Sequence, residues 1–190
     1  VSVSRAAVFL DRDGTIIEDV GYIARPEDAR LLPGVASAIG ALNDAGVPVV
    51  VVSNQSGIGR GYFSHDDFER VQARIEELLG MLGAQLDATY ICPHAPSDLP
   101  PCTCRKPGVA LFQRAARDHG LDLARSWYIG DKWRDVEPAR LLGGRGILVP
   151  APSTPPDDLA RARERGMVSE SLRAAAREII ATLTAGHSAR

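Results

Sequence analysis

At 190 residues with 45% hydrophobic side chains, the chain is long enough to bury a core of its own and has the size of one domain. A formal net charge of −2 and the lack of a Lys/Arg-rich run exclude the electrostatic footprint of a nucleic-acid or anionic-membrane binder. The longest aliphatic run, 47–52, contains Pro48 and is far too short to span a bilayer, and the N-terminal stretch reads as a strand rather than a cleavable signal. The expectation is a cytoplasmic, monomeric protein with a small-molecule partner.

In chain order, a strand over 6–10 leads into Asp11, and a helix over 35–45 is stopped by Gly46. A strand over 47–52 runs into Ser53, and Ser64 caps a helix over 66–82, with Asp67 placed for a capping box. A strand over 88–92 enters the Pro-rich stretch 93–101. A helix over 109–119 stops at Gly120, and a strand over 126–129 precedes Asp131. A helix over 135–142 runs into Gly143-Gly144, and a strand over 146–149 is followed by the Pro-rich segment 150–156, which reads as a surface connection. Helices over 157–165 and 169–183 close the chain. Such alternation predicts a single α/β domain, 1–190, with a parallel sheet covered on both faces, no large cap domain, and ligands bound outside the carboxyl ends of the strands.

Four motifs fall at those expected ends. Phe9-Leu10-Asp11-Arg12-Asp13-Gly14-Thr15 places two carboxylates two residues apart. An ionised Asp11 beside a hard cation such as Mg²⁺ can act as a nucleophile, while a second carboxyl, Asp13, protonates a leaving alkoxide and later activates water. Gly14 permits a sharp turn, and Thr15 is placed to hold that second carboxyl. Alone, the same residues also read as a turn with helix-capping acids. Ser53-Asn54-Gln55-Ser56-Gly57 offers neutral donors to a phosphate oxygen, or a capped turn. In Cys102-Thr103-Cys104-Arg105-Lys106-Pro107, Lys106 can neutralise a phosphate and Asp11, and Arg105 can fork onto a phosphate or a hydroxyl pair. In Ile129-Gly130-Asp131-Lys132-Trp133-Arg134-Asp135, Asp131 can complete a Mg²⁺ site, while Asp135 either ligates through water or caps the next helix.

The only cysteines, Cys92, Cys102 and Cys104, lie within thirteen residues of one another. With His94 they form Cys-x-His-x7-Cys-x-Cys, three thiolates and an imidazole suited to tetrahedral zinc with no open position, hence to a structural site. Such a zinc would stiffen a loop with little core and anchor Arg105 and Lys106.

Taken in order, Asp11 with Asp13, Ser53, Lys106, and Asp131 with Asp135 resemble the four motifs of the haloacid dehalogenase superfamily. The resemblance implies a Rossmann-like fold, Mg²⁺ held by Asp11, Asp131 and the main-chain carbonyl of Asp13, and an aspartyl-phosphate intermediate. The acid at Asp13 points to the phosphatases of the superfamily. With the zinc loop, the chain is similar to two phosphatase groups, one removing the 7-phosphate of D-glycero-D-manno-heptose 1,7-bisphosphate in nucleotide-activated heptose biosynthesis, the other acting on histidinol phosphate. The stretch from Asn54 to Phe63 and Lys132 after Asp131 look like the heptose group. A short zinc loop and the sequence Arg105-Lys106-Pro107-Gly108 lean toward the histidinol group and keep it open. For a bisphosphate, Arg60, Arg105 and Lys132 are the expected selecting cations, with Asn54 and Gln55 on sugar hydroxyls. For histidinol phosphate, Glu18 and Asp19 could meet the ammonium. A non-catalytic zinc-loop binding module is the remaining alternative, and the intact acids argue against it.

Overall fold

The computed structural model describes residues 5–188, so the expected span 1–190 extends past the described residues at both ends. Five strands, β1 (Val8–Leu10), β2 (Val49–Asn54), β3 (Ala88–Cys92), β4 (Trp127–Gly130) and β5 (Arg145–Leu148), form one parallel sheet in the order β3-β2-β1-β4-β5. The helices are α1 (Val35–Asp44), α2 (Ser56–Gly59), α3 (His65–Gly80), α4 (Ala110–His119), α5 (Trp133–Val136), α6 (Pro138–Leu142), α7 (Pro156–Glu164) and α8 (Leu172–Ser188). Among the described residues, no helix is long and apolar enough to cross a membrane.

The period of two along each strand assigns its side chains to opposite faces. Val8 and Leu10 of β1, with Val49 and Val51 of β2, pack against Ile39 and Leu42 of α1, Val71 and Ile75 of α3, and Ile179 of α8. Phe9, Val50, Val52 and Tyr128 turn the other way, onto Leu111, Phe112 and Ala115 of α4. There Phe9 stacks on Tyr128 at 5.2 Å and meets the edge of Phe112 at 5.3 Å. A sheet buried on both faces explains why the strands read as continuous apolar runs.

The chain leaves β1 for β2 and β3 on one side, then returns for β4 and β5 on the other. The crevice at that reversal opens between the ends of β1 and β4. Leu10 is level with both Val51 and Ile129, so Asp11, Ser53 and Asp131 all emerge at one end of the sheet.

Ser64 caps α3 in a capping box with Asp67, as expected. The single helix expected over 135–142 is instead two, α5 and α6, because Pro138 lacks the N–H needed to continue the first. The final helix starts later than expected, at Leu172, where the Ser171 hydroxyl accepts from Ala174 N.

Candidate active site

Asp11 follows β1 directly, its N–H donating to Ile129 O of β4 at 2.9 Å, which ties the first motif to the last. Asp11, Asp131 and Asp135 are almost fully buried, and their carboxylate oxygens lie within 4.8 Å of one another. Lys106 brings the compensating charge. It sits not at a strand end, as expected, but in the loop ahead of α4, and its ammonium reaches Asp11 Oδ1 at 2.7 Å, Asp135 Oδ1 at 2.8 Å and Val52 O at 2.6 Å. Burial would lower its pKa, but Asp11 and Asp135 outweigh burial and raise it, so Lys106 is a fixed cation. Burial, followed by the Asp11 charge, pushes Asp135 up to about 6 and also raises Asp131.

Asp131 is held by residues the sequence did not point to. Ser153 Oγ donates to its Oδ2 at 3.0 Å, and Thr154 Oγ1 to its main-chain oxygen at 2.8 Å, so the segment 150–156 is a clasp on the site rather than a plain surface connection. Its Oδ1 is buried without a partner, an acceptor aimed into an all-oxygen cluster. An orphaned carboxylate oxygen among three converging acids is the donor chemistry that suits Mg²⁺. Gly14, at φ +88°, passes so close that a Cβ there would lie 2.6 Å from Asp131 Oδ2, which explains glycine at this point of the motif.

Asp13 lies outside that group of three acids, its side chain 19% exposed, and lines the same cavity as Asp11. Burial raises its pKa, opposed by the Arg12 guanidinium, and the raised value favours the protonated form needed of an acid. Arg12 and Gln55 hold it, not Thr15, whose hydroxyl is buried without a partner. Gln55 is buried, donating to Asp13 Oδ2 at 2.7 Å and Ser53 Oγ at 2.8 Å. Asn54 clamps the main chain of Lys106, accepting from its N–H at 2.9 Å and donating to its oxygen at 3.2 Å. The amides of Asn54 and Gln55 are thus engaged with protein partners, while Asn54 also lines the cavity over the site and Gln55 stands buried behind Asp13 and Ser53. Asp135 does cap α5, accepting from Lys132 N at 3.1 Å, while its other oxygen meets Lys106.

The cavity over this centre measures about 270 Å³ and is lined by Asp11, Asp13, Ser53, Arg60, Arg105, Lys132 and Arg134, among others. Arg134 was not anticipated. Lys132 pairs with Asp19 at 2.9 Å and Asp131 at 3.0 Å, so Asp19 already has a cation. Arg60 has no ion pair among the described residues and stands free at the rim. A larger groove of about 580 Å³ along β5 has none of these acids and lies apart from the site.

Cys92, His94, Cys102 and Cys104 converge as their spacing suggested. Cys104 Sγ is 3.2 Å from both Cys92 Sγ and His94 Nδ1, and Cys92 Sγ is 3.5 Å from Cys102 Sγ and 3.6 Å from His94 Nδ1. These edges are slightly shorter than the ~3.7 Å between sulfurs of a zinc tetrahedron with ~2.3 Å bonds. All three cysteines are free thiols, which agrees with a metal rather than a disulfide. The loop is tied to the site: Gln55 N donates to Cys92 O and Gly59 N to Pro93 O, each at 2.8 Å, and Arg105 reaches His94 O at 3.5 Å.

A family model described as HAD-hydrolase-like matches residues 103–175. A D-glycero-D-manno-heptose-1,7-bisphosphate 7-phosphatase of Thermosynechococcus vestitus is 47% identical over 154 residues, covering 76% of this chain and 79% of that protein. A D-glycero-beta-D-manno-heptose-1,7-bisphosphate 7-phosphatase of Haemophilus ducreyi is 40% identical over 146 residues, covering 74% and 80%. The crystal structure of D,D-heptose 1,7-bisphosphate phosphatase from B. bronchiseptica, complexed with magnesium and phosphate, superposes with a TM-score of 0.83 at 32% identity, covering 93% of this chain and 99% of that one.

Proposed function

The chain belongs to the D-glycero-D-manno-heptose-1,7-bisphosphate 7-phosphatase family of HAD-like hydrolases, and from that premise we propose that it hydrolyses the 7-phosphate of D-glycero-D-manno-heptose 1,7-bisphosphate through an aspartyl phosphate on Asp11. The observation that carries this reading is the buried pairing of Asp11 with Lys106, beside Asp131 and Asp135, with Asp13 facing the same cavity.

Asp11 attacks the phosphorus in line as the P–O bond to the sugar breaks, and Asp13 gives its proton to the departing oxygen. Asp13, now ionised, takes a proton from water, and that water attacks phosphorus to release phosphate and restore Asp11. Ser53 and Lys106 hold the transferring phosphoryl oxygens. Mg²⁺ held by Asp11, Asp131 and the Asp13 carbonyl, with Asp135 beside them, would neutralise charge on the phosphoryl group. Zinc held by Cys92, His94, Cys102 and Cys104 would be structural, fixing the loop that carries Arg105 and Lys106. Arg60 and Arg105, with Arg134, receive the second phosphate, and Lys132 stays with the acids. One domain without a large cap carries the whole reaction.

Because Asp19 is paired with Lys132, it is a poor receptor for the ammonium of histidinol phosphate. The test is Mg²⁺-dependent phosphate release from both anomers of the heptose bisphosphate, histidinol phosphate and common sugar monophosphates. A higher kcat/KM on a heptose bisphosphate is expected. Preference for histidinol phosphate would overturn the substrate assignment, and no release from any ester would overturn the phosphatase reading.

A further inference from the structure

Arg12, between the two acids of the first motif, is among the largest fully buried side chains of the protein, at 1% exposure, and does not line the substrate cavity. Its Nε lies 3.2 Å from each Asp13 carboxylate oxygen, and its Nη2 donates to Asp13 Oδ1 at 3.0 Å and Gln55 Oε1 at 3.1 Å. Gln55 Nε2 closes the ring on Asp13 Oδ2 at 2.7 Å. The Phe68 ring of α3 lies 5.0 Å from the guanidinium carbon and backs the plane of the fork. The Arg12 carbonyl accepts from the N–H groups of Thr15, Ile16 and Ile17, so the same residue pins the turn that carries Asp13.

Two features separate this arrangement from ordinary packing. A residue filling space behind the loop would be apolar, whereas Arg12 is buried charged with its Nη1 unpartnered, an arrangement that costs stability. Thr15, the neighbour with a hydroxyl to offer, makes no hydrogen bond to Asp13. We propose that Arg12, acting with Gln55, is a positioning residue that fixes both oxygens of Asp13 for its proton transfers. This rests on the reading of Asp13 as the acid and base of the reaction.

Arg12→Lys keeps the charge and loses the planar fork. A misplaced acid and base costs about 10²-fold in rate, so kcat on the heptose bisphosphate should fall by about that factor while KM stays within about threefold. The informative comparison is 4-nitrophenyl phosphate. Its leaving group departs without protonation, but water still needs a base to clear the aspartyl phosphate. The variant should release about one equivalent of nitrophenolate in a burst and then turn over slowly. Gln55→Leu, which leaves the Arg12–Asp13 pair in place, should show the same pattern more weakly, and it carries the test if Arg12→Lys does not fold by circular dichroism. A loss equal on both substrates with no burst, or a kcat within about threefold of wild type, would overturn the clamp. A wild type inactive on every ester with Mg²⁺ would overturn the phosphatase reading, and the clamp with it.

Discussion

Replacing Lys106 with methionine removes the one cation among the described residues that touches both Asp11 and Asp135. The change keeps the length of the side chain but leaves Val52 O without its donor and Asp11 and Asp135 without the ammonium between them, while Lys132 stays on Asp131. Breaking a buried pair in this way costs roughly 3–5 kcal/mol. At about 2–4 °C per kcal/mol for a chain of this size, the melting temperature should drop by roughly 6–20 °C. The loss should depend on pH. Lys106 is charged throughout the neutral range, its raised pKa placing loss of its contribution above the ordinary lysine value. Asp135 has a folded-state pKa raised to about 6, so its proton stabilises the fold at low pH and that contribution disappears as pH rises through about 6. At pH 5 a protonated Asp135 relieves the loss of Lys106, whereas at pH 8, above its raised pKa, Asp135 carries its charge with that ammonium gone. Melting of metal-free protein, followed by circular dichroism, should therefore show a larger deficit at pH 8 than at pH 5. Activity with excess Mg²⁺ should fall by about 10²–10³-fold, the usual cost of losing one donor to a transition-state oxygen. A melting temperature within about 2 °C of wild type at both pH values would refute the burial argument, and a kcat within tenfold of wild type would refute the role on phosphate.

Asp11→Asn should fold and lose essentially all turnover, since it removes the attacking charge; retention of about a tenth of wild-type kcat, against the far larger losses typical of a nucleophile, would be incompatible with a covalent intermediate. Protein purified without chelators should carry about one zinc per chain by elemental analysis, and Cys102→Ser should loosen the loop, seen as faster proteolysis around 93–104, and reduce activity through Lys106; a zinc-free, fully active wild type would contradict this. Arg60→Ala should lower kcat/KM for the heptose bisphosphate by about one to two decades, the worth of a charge-assisted contact of roughly 1.5–3 kcal/mol, and barely affect a small monophosphate; equal losses on both would remove Arg60 as the remote anchor.

Features legible in the chain are local or rest on spacing. Apolar runs of Val, Ile and Tyr marked all five strands to within two residues at most boundaries, because a sheet buried on both faces must be apolar throughout. Acids directly after such runs, at Asp11 and Asp131, had to surface at the ligand end of a parallel sheet, and Cys92, His94, Cys102 and Cys104 were close enough along the chain to converge. The capping box at Ser64 and Asp67 is a matter of one helical turn. Which polar groups meet across long stretches of chain is set by the packed fold alone. Nothing in the spacing of Asn54 and Gln55 shows that the fold sets one against the Lys106 backbone and the other against Asp13. Ser153 and Thr154 carried no signal, since a hydroxyl in a Pro-rich segment gains a role only when the chain beyond β5 folds back over Asp131. Pro138 marks a helix break in the chain, but the apolar helical period continues on both sides of it. Hydrogen bonds and ion pairs act over about 3 Å, a distance that chain spacing predicts across a turn, and that only packing of the whole core can set between residues fifty or a hundred positions apart, as Lys106 is from Asn54 and Asp11.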